Sequence, residues 1–566
     1  MEMSKVLRGK RGVGSIALRV AVASILPIAS LTFISSANSA DAPVATTLVR
    51  PEGLPNISAV PFTGKKSATF TTPTTMVNLS TLPSQGVVGD AFKIEGKALT
   101  PDTDYVLTWS TSDATWLAGI EPNTVNYMGT AYNNYHVDMA NVKTDASGAF
   151  SYSTKIPSDW GGVHDIYIVK DGVAAGHGGV QVSRTFTMSP KSGPIGTPIT
   201  VTYTGLGPKL YAAGSALIYD NHFAGEMMAR WSRGTATATI LASGKVGKHF
   251  IQANEAISFS YLNVLQSPVP YANSGQGVFT ITKDNGAFKP YAKYPKKVTP
   301  TVNQRTTLSS VDLDPATTAT ASLSVDNGPI GTKSKFSVSG LTSTGTHQIV
   351  WATVVGNRVN CTGTCWIYNS VPLATVEVTG STISQEITVP DHLGGWHVVQ
   401  LKKGNAVEAQ TLFYVKESIM KFYDKNGKVI GEGLAKADNS GSAAAFAAGG
   451  AGKPTNTFKE NEEFTISIKG VGWTQFDNTL AVTYDNSYIG YGCGFNSNGY
   501  LVVHLRATGG VGTHIIDLRP LLYTQQPSFA NTPYGMTPVL TSENDFAGLA
   551  AGYQIPQFHF AINVVK

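Results

Sequence analysis

Histidine is the residue of this chain whose type and spacing most directly invite chemistry. Four times a glycine, any residue and a histidine open an apolar strand: Gly162-Val163-His164, Gly247-Lys248-His249, Gly395-Trp396-His397 and Gly512-Thr513-His514. Neutral imidazole is a common metal ligand. One histidine per copy, with no second ligand at a fixed spacing, makes four separated singletons rather than a coordination set. The spacing favours a structural part, in which a ring nitrogen of each histidine bonds nearby backbone at the start of a strand. No metal and no cofactor is expected.

Other candidate groups lead to the same place. Asp220-Asn221 and Asp485-Asn486 offer two oxygen donors per copy, well short of the roughly six to eight that calcium takes; Asp-Asn after a strand makes a turn. Asp424-Lys425-Asn426-Gly427 reads as a hairpin turn, because Ala435 stands where a calcium loop needs its closing acid. Of three cysteines, Cys361 and Cys365 have the spacing of a small disulfide loop in an exported protein. Cys493 aligns with Met228 and reads as apolar packing. The motifs of zinc proteases, serine hydrolases, phosphate-binding loops and haem attachment do not occur. No catalytic residue is expected.

Aromatic residues are the remaining candidates for binding. Trp116, Tyr127, Tyr132 and Tyr135 lie beside Asn123, Asn126, Asn133 and Asn134 in one insertion, and Tyr523 and Tyr534 lie in a second. Rings next to Asn suit a glycan or a protein contact on a long loop, or they cover an exposed sheet edge.

These groups must be positioned by strands. Charged residues make up only 14% of the chain, against 58 glycines and a 10% aromatic share, which favours β-sheet with many turns. The net charge of +5 over 566 residues, with no basic stripe, argues against nucleic acid as a partner. Gly193-Pro194-Ile195-Gly196-Thr197 and Gly328-Pro329-Ile330-Gly331-Thr332 open equivalent strands 135 residues apart, each an alternating run entered through a tight turn. An aromatic landmark follows in every copy: Trp109, Tyr219, Trp351 and Tyr484.

The landmarks sort the copies into two types that alternate, A-B-A-B. Copies two and four superpose at an offset of 265 residues from Ile199 to Ile251, matching Tyr219-Asp220-Asn221 with Tyr484-Asp485-Asn486 and His249 with His514. Copies one and three share the segments 156–164 and 389–397. The predicted organisation is a signal peptide over 1–40, a Pro/Thr/Ser-rich linker over 41–80, and type A domains at 81–188 and 319–418. Type B domains fall at 189–282 and 458–566, with linkers at 283–318 and 419–457. The leader has Lys5, Arg8, Lys10, Arg11 and Arg19 before the apolar run 20–34 and small residues to Ala40, the pattern of export. The linkers are expected to be extended and solvated, and no membrane anchor is expected in the mature chain.

The segment from Val142-Lys143-Thr144-Asp145-Ala146-Ser147-Gly148 through Pro157 to Gly162-Val163-His164 resembles the second half of a bacterial immunoglobulin-like repeat, as do the Gly-Pro-Ile-Gly-Thr openings. The resemblance covers nearly all of 80–566, and it implies four tandem Ig-like β-sandwiches in an all-β chain. About seven short strands per hundred-odd residues independently indicate two-sheet sandwiches, with Trp109 and Trp351 at the buried tryptophan position and the histidines near the tyrosine-corner position. The expected function is a non-catalytic exported structural or interaction protein of the cell surface or matrix, or periplasm, whose partners are itself, other surface proteins or glycans. A carbohydrate-binding protein using the aromatic loops is the second expectation, and a secreted hydrolase with a site between domains is the third.

Overall fold

In each of four copies, eight equivalent strands form a three-stranded and a five-stranded array, which additional strands widen to sheets of three and seven in the first copy and of five and seven in the fourth. In the second copy the strands run, in chain order, Thr185–Ser189, Ser192–Gly193, Pro198–Thr204, Gly214–Tyr219, His222–Met228, Ala236–Leu241, Gly247–Glu255 and Gly275–Ile281. The first, third and sixth form one sheet; the second, eighth, seventh, fourth and fifth form the other. The same order recurs in the first copy from Ser80–Leu82 to Val173–Ser183 and in the third from Thr320–Leu323 to Ala406–Val415. It recurs in the fourth from Ser418–Ile419 to Gln557–Val565. The second strand pairs parallel with the eighth in every copy.

These coordinates are a computed structural model that describes residues 45–55, 58–121, 124–208, 213–255, 262, 265, 275–301, 317, 319–356, 366–438, 451–525 and 533–566. The expected leader, the expected disulfide between Cys361 and Cys365, and the side chains of Tyr523 and Tyr534 fall outside them. Among the described residues the chain is all-β, with 3-10 turns at Phe495–Ser497 and Ala547–Ala551 as its helical pieces. No helix among them is long and apolar enough to cross a membrane.

Alternation places the core. Along Pro198–Thr204, Ile199, Val201 and Tyr203 point inward and meet Leu217, Tyr219, Ile251, Phe279 and Ile281 of the facing sheet, as a period of two requires. Trp109 and Trp351 hold the same central place in copies one and three.

Three departures from the sequence expectations share a cause, which is that Pro43–Lys566 is one compact unit. Residues expected as a solvated linker before the first copy lie on the protein: Ala45–Thr47 pairs with Asp104–Glu121, and Leu48 and Leu54 are buried. In the stretch 283–318, Tyr291–Lys293 adds a strand to Gln557–Val565, Val298 is buried, and Thr301 N donates to Ala550 O at 2.7 Å. In 419–457, Leu434–Ala437 and Ala451–Pro454 complete the fourth copy's sheet, and 439–450 lies outside the described residues. Each segment satisfies an otherwise open strand edge. Asp424 caps the turn between Lys421–Tyr423 and Val429–Glu432, accepting from the backbone of Asn426 and Lys428.

The A–B pairs close on each other through glycine. Gly161 N donates to Leu206 O at 2.8 Å, and Gly394 N donates to Val471 O at 2.9 Å. A Cβ on Gly161 would lie 1.7 Å from Gly205 O, and one on Gly394 would lie 1.7 Å from Gly470 O. The same backbone contact therefore joins copies one and two and copies three and four.

Candidate functional site

The four histidines occupy one geometry. Each is buried, and each Nε2 meets the carbonyl four residues earlier: Trp160 for His164 (2.7 Å), Lys245 for His249 (2.7 Å), Leu393 for His397 (2.9 Å) and Gly510 for His514 (2.9 Å). Each ring packs face-on to tilted against its landmark, at 4.2 Å for Trp109–His164, 5.4 Å for Tyr219–His249, 4.8 Å for Trp351–His397 and 5.5 Å for Tyr484–His514. The other nitrogen separates the types. In type A, Nδ1 meets the backbone carbonyl of the residue after the tryptophan, Ser110 or Ala352. In type B it meets the carboxylate of the residue after the tyrosine, Asp220 at 2.5 Å or Asp485 at 2.6 Å.

Those aspartates are therefore committed. Asp220, Asn221, Asp485 and Asn486 all have positive φ, the geometry of a two-residue hairpin turn, and each Asp also accepts from the backbone of the seventh strand. Among the described residues no three His, Cys, Asp or Glu groups are placed to hold a metal ion.

The charge on the ring depends on its partners. Burial pushes His397 down to about 4 against its backbone acceptors. His514 moves up: burial opposes the charge, but Asp485, the Gly510 carbonyl and Asp284 outweigh it. Copies one and three differ two residues before the glycines. Asp159 accepts from Trp109 Nε1 at 2.8 Å and Thr111 Oγ1 at 2.9 Å, 3.8 Å from His164. His392 takes its place in copy three, and there Trp351 Nε1, Thr353 Oγ1 and His392 Nδ1 are buried without hydrogen-bond partners. Restoring the acceptor by His392→Asp is expected to stabilise the chain by about 1 to 2 kcal/mol and to raise the His397 pKa. Thermal unfolding and histidine NMR titration check both.

The aromatic insertion is a brace and not an open binding loop. The strands Asp104–Glu121 and Thr124–Lys143 run 18 and 20 residues, where the equivalent strand Gly214–Tyr219 has 6. Trp116 is fully buried and donates from Nε1 to Asp545 Oδ1 at 2.9 Å, with the Arg230 guanidinium 4.0 Å over its ring. Tyr127 is buried against Trp116, and Tyr132 packs beside Trp160 and Ala213. Tyr135 donates to Asp113 and accepts from Arg233, so it too is taken up between copies one and two. The expectation that Trp116, Tyr127 and Tyr132 offer rings to a ligand is corrected by this packing, whereas Tyr135 is half-buried and keeps one side on a cleft. Trp116, Tyr132 and Tyr135 each have a partner on another copy, Asp545, Ala213 and Arg233, which local sequence could not reveal.

Asp545 is the hub. It sits in the fourth copy's second insertion, is fully buried, and accepts from Trp116 Nε1 and from the backbone N–H groups of Arg230 and Trp231. Beside it Glu226 is buried, and burial, reinforced by the Asp545 charge, pushes its carboxyl up to about 7 against Arg230 and a 3.3 Å hydrogen bond from Thr537. The same insertion bridges the second copy's fifth strand, Val539 to Glu226, and covers Met228. Met228 is consequently buried while Cys493, its counterpart, is exposed, correcting the reading of Cys493 as packing.

A carboxyl with a raised folded-state pKa binds its proton more tightly when folded, so stability falls as pH rises. Glu226 contributes fully below the unfolded carboxyl value, and that contribution is lost as pH rises through about 7. The span corresponds to about 3 kcal/mol. Asp545 shifts the same way, from burial against Arg230 and its donors. The melting temperature is expected to be lower at pH 8 than at pH 5, with the difference reduced by Glu226→Gln. An unchanged pH profile in that variant would reject the assignment.

A cleft lies beside the braced insertion. A space of about 320 Å³ lies on the outer face of the first copy's larger sheet, lined by Asn134, Tyr135, His136, Val163, Asp165 and Tyr167 among others. Tyr167 stacks on His177 at 4.6 Å, and His177 Nε2 meets Asp165 Oδ1 at 2.9 Å. Burial lowers the His136 pKa despite nearby Asp165, so at neutral pH its ring presents one donor and one acceptor. Half-buried rings with amide, carboxylate and imidazole groups suit a small hydroxyl-rich ligand.

No protein-family model matches this chain, and no curated protein matches it. Solved structures overlap it only loosely. The native conformation of E. coli α2-macroglobulin aligns at 7% identity and a TM-score of 0.15 over 85% of this chain and 30% of that one. The E. coli adhesin FdeC aligns at 11% identity and 0.13 over 60% and 96%, and red sea bream transglutaminase at 12% and 0.14 over 37% and 32%. This chain thus spans under a third of the α2-macroglobulin, and overlaps this loose carry no argument.

Proposed function

We propose that the protein is an exported, non-catalytic structural or interaction protein of the cell surface or extracellular matrix, built from Ig-like repeats of the bacterial kind. The observation that carries this reading is the buried junction of Trp116, Arg230 and Asp545, which ties copies one, two and four into one body. Flexible spacers do not need such a lock; a rigid block that presents fixed surfaces does. The carboxylates between copies, Glu226 and Asp545, are buried and closed to a substrate, which disfavours a hydrolase at that place. Fractionation of the producing cell, followed by crosslinking in place, tests the reading. Retention in the envelope or matrix is the expected result, and recovery in the cytosol would overturn it.

Glycan binding is the second reading, narrowed from the insertion as a whole to the cleft where its Asn134, Tyr135 and His136 meet Asp165 and Tyr167. A glycan array with hits lost in Tyr167→Ala and Asp165→Ala supports it. An array without hits removes it.

A further inference from the structure

We infer that the outer face of the second copy's five-stranded sheet is a docking face for the fourth copy's sixth strand, Leu501–Arg506, of another molecule of this chain. This rests on the structural reading above and names its partner. The argument begins from an interface the molecule already contains. The fourth copy's outer face, including Ile515, Asp517, Arg519, His559 and Ala561, is buried. The second copy's sixth strand, Ala236–Leu241, and the residues after it lie against that face. Asn486 Nδ2 donates to Leu241 O at 2.8 Å and to Ser243 Oγ at 2.7 Å. Arg519 Nη2 donates to Thr239 O at 3.2 Å, and Thr513 donates through N and Oγ1 to Asp284 at 2.8 and 2.7 Å.

Copies two and four match at the 265 offset, so each carries counterparts of both halves of this contact, apart from Thr513, which Lys248 replaces. Ile515 maps to Phe250 and Asn486 to Asn221; Ile515 stands opposite Ala561, as Phe250 stands opposite Val278. In the second copy the part of that face on the seventh and eighth strands is open: Phe250 is 57% and Val278 39% exposed, and Asn221 is exposed, whereas Ala216 and Ile218 on the fourth strand are covered. On the other side Thr239, Leu241 and Ser243 map to His504, Arg506 and Thr508, all exposed. Their strand is a sheet edge that pairs with Glu463–Lys469. The molecule therefore holds one completed interface and both unfilled halves of a second.

An apolar cross-strand pair left in water and an unpaired strand edge are each features that proteins ordinarily cover. A second copy supplies the missing half of each. Because the two halves are different surfaces, the contact is heterologous and extends into rows unless its rotation closes a ring. The match is incomplete at two buried charges: Asp517 and Arg519 are replaced by Gln252 and Asn254. The contact between molecules thus loses the guanidinium hydrogen bond and is weaker than the one inside.

The mature chain should show concentration-dependent growth by sedimentation velocity, and Phe250→Lys with Val278→Lys should weaken it at least tenfold without lowering the melting temperature. In a Cys493→Ser background, Asn221→Cys mixed with Thr508→Cys should form a covalent dimer that neither variant forms alone, as the Asn486–Ser243 contact dictates. A chain that stays monomeric at every concentration overturns the inference, as does assembly indifferent to both lysines. Envelope retention of a monomeric chain would leave the structural reading standing, whereas self-assembly of a cytosolic protein would leave only the docking face.

Discussion

Asp545→Ala will lower the unfolding free energy by about 3 to 5 kcal/mol, the range for breaking a buried charged pair on one side. The carboxylate is fully buried and answers three donors at once: the Trp116 indole and the backbone N–H groups of Arg230 and Trp231. Truncation strands all three away from water, and each unsatisfied buried donor costs about 1 to 3 kcal/mol. It also leaves Arg230 buried beside Glu226 alone, and that carboxyl is half protonated near neutral pH. Asp545→Asn keeps the shape and one acceptor, so its loss should be smaller. Calorimetry gives the free energy, and small-angle scattering gives a second readout, since the first and fourth copies should separate. A variant as stable and as compact as the parent would show that the junction does not hold the copies together.

Gly161→Ala and Gly394→Ala form the second large prediction, because no rotamer can relieve either. The added methyl at each position would stand 1.7 Å from a carbonyl oxygen of the neighbouring copy, and the obstacle is backbone. The paired copies must shift apart, which also breaks the Gly161–Leu206 or Gly394–Val471 hydrogen bond. We expect more than about 3 kcal/mol for each, the upper end for overpacking. The two sites should be additive, being separate copies of one contact with no shared partners. Thermal unfolding of both single variants and the double checks this; a neutral Gly394→Ala would mean that the third and fourth copies do not meet there.

How far the chain could be read from its sequence follows from where each partner lies. The histidine corners were legible, because His164 and the Trp160 carbonyl are four residues apart and the tripeptide recurs in all four copies. The two copy types were legible from spacing, and the split reappears as a carbonyl or a carboxylate at Nδ1. Trp116 was not legible, since its indole partner lies 429 residues away and a buried brace has the same composition as a binding loop. The proline-rich segments were misjudged for a related reason. Their polarity is that of a solvated tether, while strand edges elsewhere in the fold supply hydrogen bonds for it.

By itself, then, the sequence determined strands, turns, the all-β class and the alternating copies, because these depend on periods of two and on residues a few positions apart. Tertiary structure alone decided that the copies form one body around Asp545, that the aromatic insertion is internal and that Phe250 faces solvent while its counterpart Ile515 is buried. Those outcomes depend on surfaces meeting across hundreds of residues, and no local pattern records which of two equivalent faces is covered. The Gly-x-His tripeptide marks the same corner four times, but packing decides what each corner supports.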